Sequence, residues 1–374
     1  MEPHLVIALP GRWEFRGVTQ ANLTAKLVTG VEAFVERWPG RVSVVARPAA
    51  TTGSNLDSGW VALDSLAFEV LASDDLAHGV RRIGATVVLG SFDVQHQALL
   101  AASVPVVLTA EFSHRERLRA TLVGASDPIV RARIVAGAVH TRRLLRWMAR
   151  EAAGVQCNGF AVHDSLARHA RSRLLFFDTR LEPAHVAQAE PARPDGQRLR
   201  LGLSSRFEEA KGPLDTILAH RALVDRGVDA TLTVFGKGPL EQEMRAAAAP
   251  GVEFKGIVPF SPDWLSSVRD DIDVMMLAHK QGDPSGTYLE SSGIGVPVLG
   301  YDNVALRSPV AGPGIGWTVP IGNPMRLAEK ARDLLSDPDE VTAAGSRGNA
   351  FMRQHTWDRE FDRRADHLLS LSRL

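Results

Sequence analysis

The residues best suited to chemistry cluster between Lys280 and Gly300. Asp283 and Glu290 stand seven residues apart, close to two helical turns, so on one helix both carboxylates share a face. One could accept hydrogen bonds from a sugar's hydroxyls and the other from a ribose diol. Pro284 suits a helix's first position, with Asp283 as its N-cap. The amides of Ser285, Gly286 and Thr287 would then form the amino end of that helix. Ahead of it, Ile272–Leu277 reads as a buried strand. A helix that starts at the carboxyl end of such a strand turns its first N–H groups toward the crevice where open α/β sheets bind ligands, and favours a phosphate there. An ordinary surface helix with a good cap fits the same residues.

Other candidates lie at other strand ends. Arg206 and Lys211 flank a turn after the strand Leu199–Leu203, where two fixed cations can neutralise a diphosphate. Gly236, in Gly236-Lys-Gly-Pro239, lets a ligand approach the backbone. Glu111 follows the strand ending at Thr109, as a site carboxylate or a helix cap. Gly11 and Gly17 bracket a loop after the first strand, facing a crevice or simply turning the chain. No Gly-x-Gly-x-x-Gly is present, which argues against a nicotinamide-dependent dehydrogenase. Asp271-Ile-Asp273 imitates a metal motif but begins a buried strand, so it reads as structural. No metal site is expected.

From His114 to Arg150 there are nine arginines against Glu116 and Asp127. Arg142, Arg143, Arg146 and Arg150 share a helix with Leu144, Leu145, Trp147 and Met148. Such a helix can lie on an anionic membrane surface, hold an anionic acceptor, or present a solvated face. Over the whole chain Lys+Arg and Asp+Glu balance at 43 each, so bulk charge gives no sign of a nucleic-acid partner. The one cysteine excludes an internal disulfide and a cysteine-based zinc site. No apolar run reaches membrane-span length and the amino end lacks a signal-peptide pattern, so a cytoplasmic location is expected, with peripheral contact at the inner membrane surface through Arg142–Arg150 as an option.

The elements that must position these residues alternate strand and helix, as in doubly wound parallel sheets. Leu5–Leu9, Val42–Ala46, Ala85–Leu89, Val104–Thr109, Gly154–Gly159 and Leu174–Phe177 read as strands of a first sheet. A helix is expected from about Gln20 to Arg37, on the spacing of Leu23, Leu27, Val31 and Phe34. Strands at Leu199–Leu203, Ala230–Phe235, Val252–Lys255, Ile272–Leu277, Val296–Leu299 and Gly316–Val319 build a second sheet. At 374 residues the chain has room for two domains. They are expected at 1–185 and 198–357, joined by a polar, proline-rich linker at 182–197.

Four pieces of the second half, taken in order, resemble the retaining glycosyltransferases of family 4. They are Ser205-Arg206-Phe-Glu-Glu-Ala-Lys211-Gly212, Val234-Phe-Gly-Lys-Gly-Pro239, Phe254-Lys-Gly-Ile-Val-Pro259, and Asp283-Pro-Ser-Gly-Thr-Tyr-Leu-Glu290 followed by Gly295-Val-Pro-Val298. The resemblance runs from about Leu199 to Trp357. It implies the α/β GT-B fold, two Rossmann-like domains facing a cleft, with a final helix at about 358–374 crossing back to the first. It implies a metal-independent enzyme that moves a sugar from a nucleotide-activated donor (UDP-, GDP- or another NDP-sugar) to an acceptor, small molecule, glycan or lipid-linked, with retention. Arg206 and Lys211 would hold the diphosphate. Asp283 with Ser285, Gly286 and Thr287 would hold the sugar and its phosphate, Glu290 the ribose, and Ile257, Val258 and Pro259 the base. Gly11, Gly17, Gly236, Tyr288 and Leu289 join the donor-binding set, and Glu111 the catalytic one. The family's first acidic position falls on Gly282, and its first-domain histidine is replaced by Glu111. An alternative is a GT-B protein with a non-sugar donor, or one that binds nucleotide sugar without transfer.

Overall fold

A computed structural model describes residues 2–49, 58–123, 127–192, 194, 196–282 and 284–372. The chain divides into two compact units, Met1–Phe176 with Asp358–Leu374, and Phe177–Trp357. The first unit holds β1 (His4–Arg16), β2 (Gln20–Thr24), β3 (Arg41–Ala49), β4 (Ser58–Ala62), β5 (Glu69–Ala72), β6 (Val87–Ser91), β7 (Val106–Ala110), β8 (Gly154–Asn158) and β9 (Arg173–Phe176). A parallel sheet runs in the order β5-β3-β1-β6-β7-β8-β9. Its central strands are buried on both faces, which is why they read as unbroken apolar runs such as Leu5–Leu9 and Val87–Leu89.

Beyond Leu9 the chain departs from expectation. No loop runs from Gly11 to Gly17. β1 continues to Arg16, shifted in register between Ala8 and Arg12, and pairs with β2 as an antiparallel hairpin to which β4 adds. Gly11, at φ 74°, sits at that irregularity, and Gly17, at φ 59°, lies in the hairpin turn. The helix expected from Gln20 spans only Ala25–Val35, because Gln20–Thr24 is β2. The Thr24 side chain caps it by accepting from the Leu27 amide at 3.1 Å.

The second unit holds β10 (Leu199–Ser204), β11 (Ala230–Phe235), β12 (Val252–Gly256), β13 (Val274–Leu277), β14 (Val298–Tyr301) and β15 (Gly316–Val319). All are parallel, in the order β12-β11-β10-β13-β14-β15. In both sheets the strand order reverses once, between β1 and β6 in the first and between β10 and β13 in the second. Ligands of doubly wound sheets bind at such reversals, beyond the strands' carboxyl ends.

Of the linker expected at 182–197, residues 183–192 do not run free. Pro183–Ala187 is helical, and the division between units falls earlier than expected, after Phe176. The Ala192 amide donates to the Gly295 carbonyl at 3.0 Å, and Thr342 Oγ1 donates to the Ala192 carbonyl at 2.9 Å. Gly295 has φ 90°, and a side chain there would strike Glu190 and Pro191, so this glycine lets residues 190–192 pack closely within the second unit. The final helix, Trp357–Leu371, returns to the first unit. Arg37 reaches it through Asp362 (2.7 Å) and Asp358 (2.8 Å). No helix among the described residues is long and apolar enough to cross a membrane.

Candidate functional site

In the second unit the loops that follow β10 and β13 are stitched together at the strand reversal. The Lys280 amide donates to the Ala210 carbonyl at 2.9 Å. Lys280 Nζ reaches Glu209 at 2.6 Å and Asp215 at 3.2 Å. Burial works against the Lys280 charge, yet these two carboxylates hold its pKa above the ordinary lysine value. Gly212, left-handed at φ 57°, sits where any Cβ would meet the Ala278 carbonyl. That contact brings Lys211, itself buried, close enough to His279 for its charge to act on the imidazole.

A second pair of glycines fixes the rest of the β10 loop. Gly236 has φ 123°, and a Cβ would collide with the Ser205 carbonyl. A Cβ on Gly238 would strike the Phe207 backbone. What approaches these glycines is therefore the β10 loop, which they hold in place beside Arg206. Arg206 is exposed and paired only loosely, with Glu208 at 3.1 Å. Two cations of different setting, Arg206 in solvent and Lys211 buried, thus share one loop.

The helix of the Asp283–Glu290 segment spans Gly286–Gly293 with Ser285 as its N-cap, so Pro284 precedes it rather than opening it. Asp283 lies outside the described residues. Ser285, Gly286 and Thr287 are partly exposed, as befits an amino end. Tyr288 and Leu289 are buried, with the Tyr288 hydroxyl accepting from Asn303 Nδ2 at 3.0 Å. Ile257 is exposed beyond β12, beside Val258 and Pro259.

Sequence reasoning missed three residues here. Arg180 grips the buried Glu290 with Nε at 2.8 Å and Nη2 at 2.7 Å, and lies 3.9 Å from the Phe260 ring centre. Burial alone would weaken the Arg180 charge, but Glu290 holds its pKa above the ordinary value. His279 is buried with neither ring nitrogen hydrogen-bonded, and its ring lies 5.0 Å from that of Tyr288. Burial first, and Lys211 second, keep its pKa well below the ordinary value, so the ring is neutral near pH 7. Asn303 ties the set together by donating to the His279 carbonyl at 3.0 Å. A histidine just after an apolar run was the one signal available in the sequence.

Asp273 has a structural place. It is fully buried and accepts from Arg200 Nη2 at 2.6 Å and from the Arg200 amide at 2.9 Å. Among the described residues no group of three or more His, Cys, Asp or Glu side chains could hold a metal ion. Cys157 is buried, and burial raises its thiol to about 12, which leaves it inert as a nucleophile near pH 7.

In the first unit, a cavity of about 250 Å³ sits at the strand reversal, with Pro10, Gly11, Asp93, His96, Glu111 and Arg117 in its lining. Glu111 and Gly11 are thus brought together, while Gly17 at the hairpin turn is not among the lining residues. Arg117 is held by Asp93 (3.0 Å) and by the Phe92 carbonyl (2.7 Å). His96 is locked between the Ser91 amide (2.8 Å) and the Leu9 carbonyl (3.2 Å).

Comparison with known proteins follows the same division. Residues 198–337 match the family model for glycosyl transferases group 1. The chain is 26% identical over 215 residues to a 2-deoxystreptamine glucosyltransferase of Streptomyces kanamyceticus, covering 53% of this chain and 55% of that protein. It is 30% identical over 190 residues to a 2-deoxystreptamine N-acetyl-D-glucosaminyltransferase of Streptomyces fradiae, 45% of each. The chain therefore spans about half the length of these curated relatives. Among solved structures it is similar to WaaG, a glycosyltransferase involved in lipopolysaccharide biosynthesis, with a TM-score of 0.63, 13% identity, and coverage of 97% of this chain and 99% of that one. It is also similar to Anabaena Alr3699/HepE in complex with UDP, with a TM-score of 0.61, 17% identity and coverage of 98% and 99%. The architecture is the GT-B fold of these solved structures, and the match to the family model for glycosyl transferases group 1 lies within the second unit.

Proposed function

We propose that the protein transfers a sugar from a nucleotide-activated donor to an acceptor hydroxyl, with retention of configuration and without a catalytic metal. The observation that carries this reading is the stitched pair of loops at the β10/β13 reversal. It gathers Arg206, buried Lys211 and neutral His279 on loops that lead to the amino end of the helix Gly286–Gly293. Arg206, Lys211 and the amides of Ser285–Thr287 hold the donor diphosphate, and the backbone of Ile257–Pro259 meets the base. Asp283 holds the sugar. Negative charge grows on the departing phosphate in the transition state, so cations fixed beforehand lower the barrier there. They fill the role that a divalent cation serves in other phosphate sites.

The bond from the anomeric carbon to the phosphate oxygen breaks, and a bond to the acceptor oxygen forms on the same face. The released phosphate oxygen takes the acceptor's proton. The small cavity at the first unit's reversal, with Glu111 and Asp93, binds the acceptor's hydroxyl-bearing head.

A second reading has its own support. Glu290, expected at the ribose, is already engaged by Arg180, and Gly282 stands where the family has an acid. A non-sugar donor, or donor binding without transfer, would follow. Proton NMR of the protein with a panel of UDP- and GDP-sugars separates the two. Release of free sugar whose first-formed anomer matches the donor supports transfer with retention. The opposite anomer would refute retention, and binding of UDP with no turnover of any donor would favour the second reading.

A further inference from the structure

We infer that the pocket between the helices His114–Val123 and Pro128–Glu151 binds an amphiphile with an anionic phosphate head and an apolar body, the tail portion of the acceptor. The pocket has a volume of about 530 Å³ and belongs wholly to the first unit. That is within the size range of small-molecule sites, roughly 300–1,000 Å³. Phe92, Phe112, Leu118, Val135 and Leu145 supply an apolar wall. Arg115, Arg142, Arg146, His114 and His169, with two serines, supply the polar part, and no carboxylate is among the described lining residues.

Charge complementarity selects the head group. Three arginines, Arg115, Arg142 and Arg146, line one cavity, and planar guanidinium forks suit a phosphate's oxygens. The two histidines each have a buried Nδ1 without a hydrogen-bond partner. Burial first, and then the neighbouring arginines, lower the pKa of both, so they add neutral polar atoms rather than charge. A 2-deoxystreptamine, which the names of the curated relatives give for those proteins, bears amines and would meet like charge here. Phe112 lines both this pocket and the smaller acid-bearing cavity at the β1/β6 reversal. One acceptor can therefore place a hydroxylated head in the small cavity and its phosphate and apolar body in the large one.

Naming the ligand an acceptor rests on the transferase reading, but the binding is tested apart from it. Octyl phosphate is titrated calorimetrically into the whole protein, below its micelle concentration, beside inorganic phosphate and octyl glucoside. Octyl phosphate is expected to bind about tenfold or more tightly than either control. The double variant Arg142→Gln/Arg146→Gln should lose about tenfold or more in affinity, the scale of a lost charge-assisted hydrogen bond. Arg115→Gln, at an exposed position, should show the same direction should the double variant fold poorly. Arg143→Gln, exposed on the same helix but outside the lining, should bind as the parent does. Equal binding of octyl glucoside or of inorganic phosphate would overturn the proposal. So would binding of the protein only to anionic phospholipid vesicles, with Arg142→Gln/Arg146→Gln and Arg143→Gln weakened alike. UDP affinity is measured on the same samples. Its absence beside intact octyl phosphate binding would count against the transferase reading and leave the pocket assigned.

Discussion

Arg180 holds Glu290 by two parallel hydrogen bonds, 2.8 Å from Nε and 2.7 Å from Nη2, although 110 residues separate them in sequence. The carboxylate is almost fully buried, while the arginine side chain is more than half exposed. Removing the arginine therefore strands a charge rather than merely deleting a surface pair. Arg180→Ala is expected to lower unfolding free energy by about 1–3 kcal/mol, the cost of an unsatisfied buried polar group. Adding Glu290→Gln should recover part of that loss. Urea unfolding of the three variants checks this, and a loss below about 0.5 kcal/mol for Arg180→Ala, the range of an ordinary surface change, would refute it.

Gly236 and Gly256 provide a matched pair of glycine substitutions. Both have positive φ, but only at Gly236 would a Cβ strike backbone, the Ser205 carbonyl; at Gly256 nothing lies within 4 Å. Gly256→Ala should cost only the backbone strain, about 1–2 kcal/mol. Gly236→Ala should cost more and displace the loop that carries Arg206. Thermal unfolding with and without UDP is the check. Equal melting shifts for the two variants would mean that close packing at Gly236 does not hold the loop.

Acid should weaken the fold partly through His279. The folded pKa lies well below the ordinary 6.5, from burial and then from Lys211. Between 6.5 and that lower value only the unfolded chain takes up the proton, so stability falls as pH drops through this window and is unaffected by this group above it. His96 and His220, also lowered by burial, act in the same direction. In His279→Asn, the slope of unfolding free energy between about pH 6.5 and 5 should flatten by up to about 1.4 kcal/mol per pH unit. Identical slopes in parent and variant would exclude His279 as a contributor.

Much of this architecture was legible because buried parallel strands are written as short apolar runs. Leu5–Leu9 and Val87–Leu89 lie in the centre of one sheet, and Val274–Leu277 in the centre of the other. β2 was misread because Leu23, Leu27, Val31 and Phe34 keep a helical spacing across its junction with the helix. The buried alternation of Ala21 and Leu23, ended by the capping Thr24, was the competing signal. β4 and β5 are short and carry few buried side chains, so no apolar run announces them. The prolines at 183 and 191 suggested a linker, whereas Pro183 opens a helix and 190–192 packs against Gly295. At the candidate site, Arg206, Lys211 and Glu290 were visible as charges at strand ends or on a helix. Arg180 was not, since its partner is fixed by folding rather than by spacing.

Calorimetric titration with UDP tests the central claim most directly. Arg206 is exposed and its pairing with Glu208 is a surface contact, worth roughly 0–1 kcal/mol, so Arg206→Ala should keep the parent's unfolding midpoint. The same variant should bind UDP about tenfold or more weakly, as expected when a charged donor to phosphate is lost. Unchanged UDP affinity in Arg206→Ala would contradict a donor diphosphate held at the β10 loop.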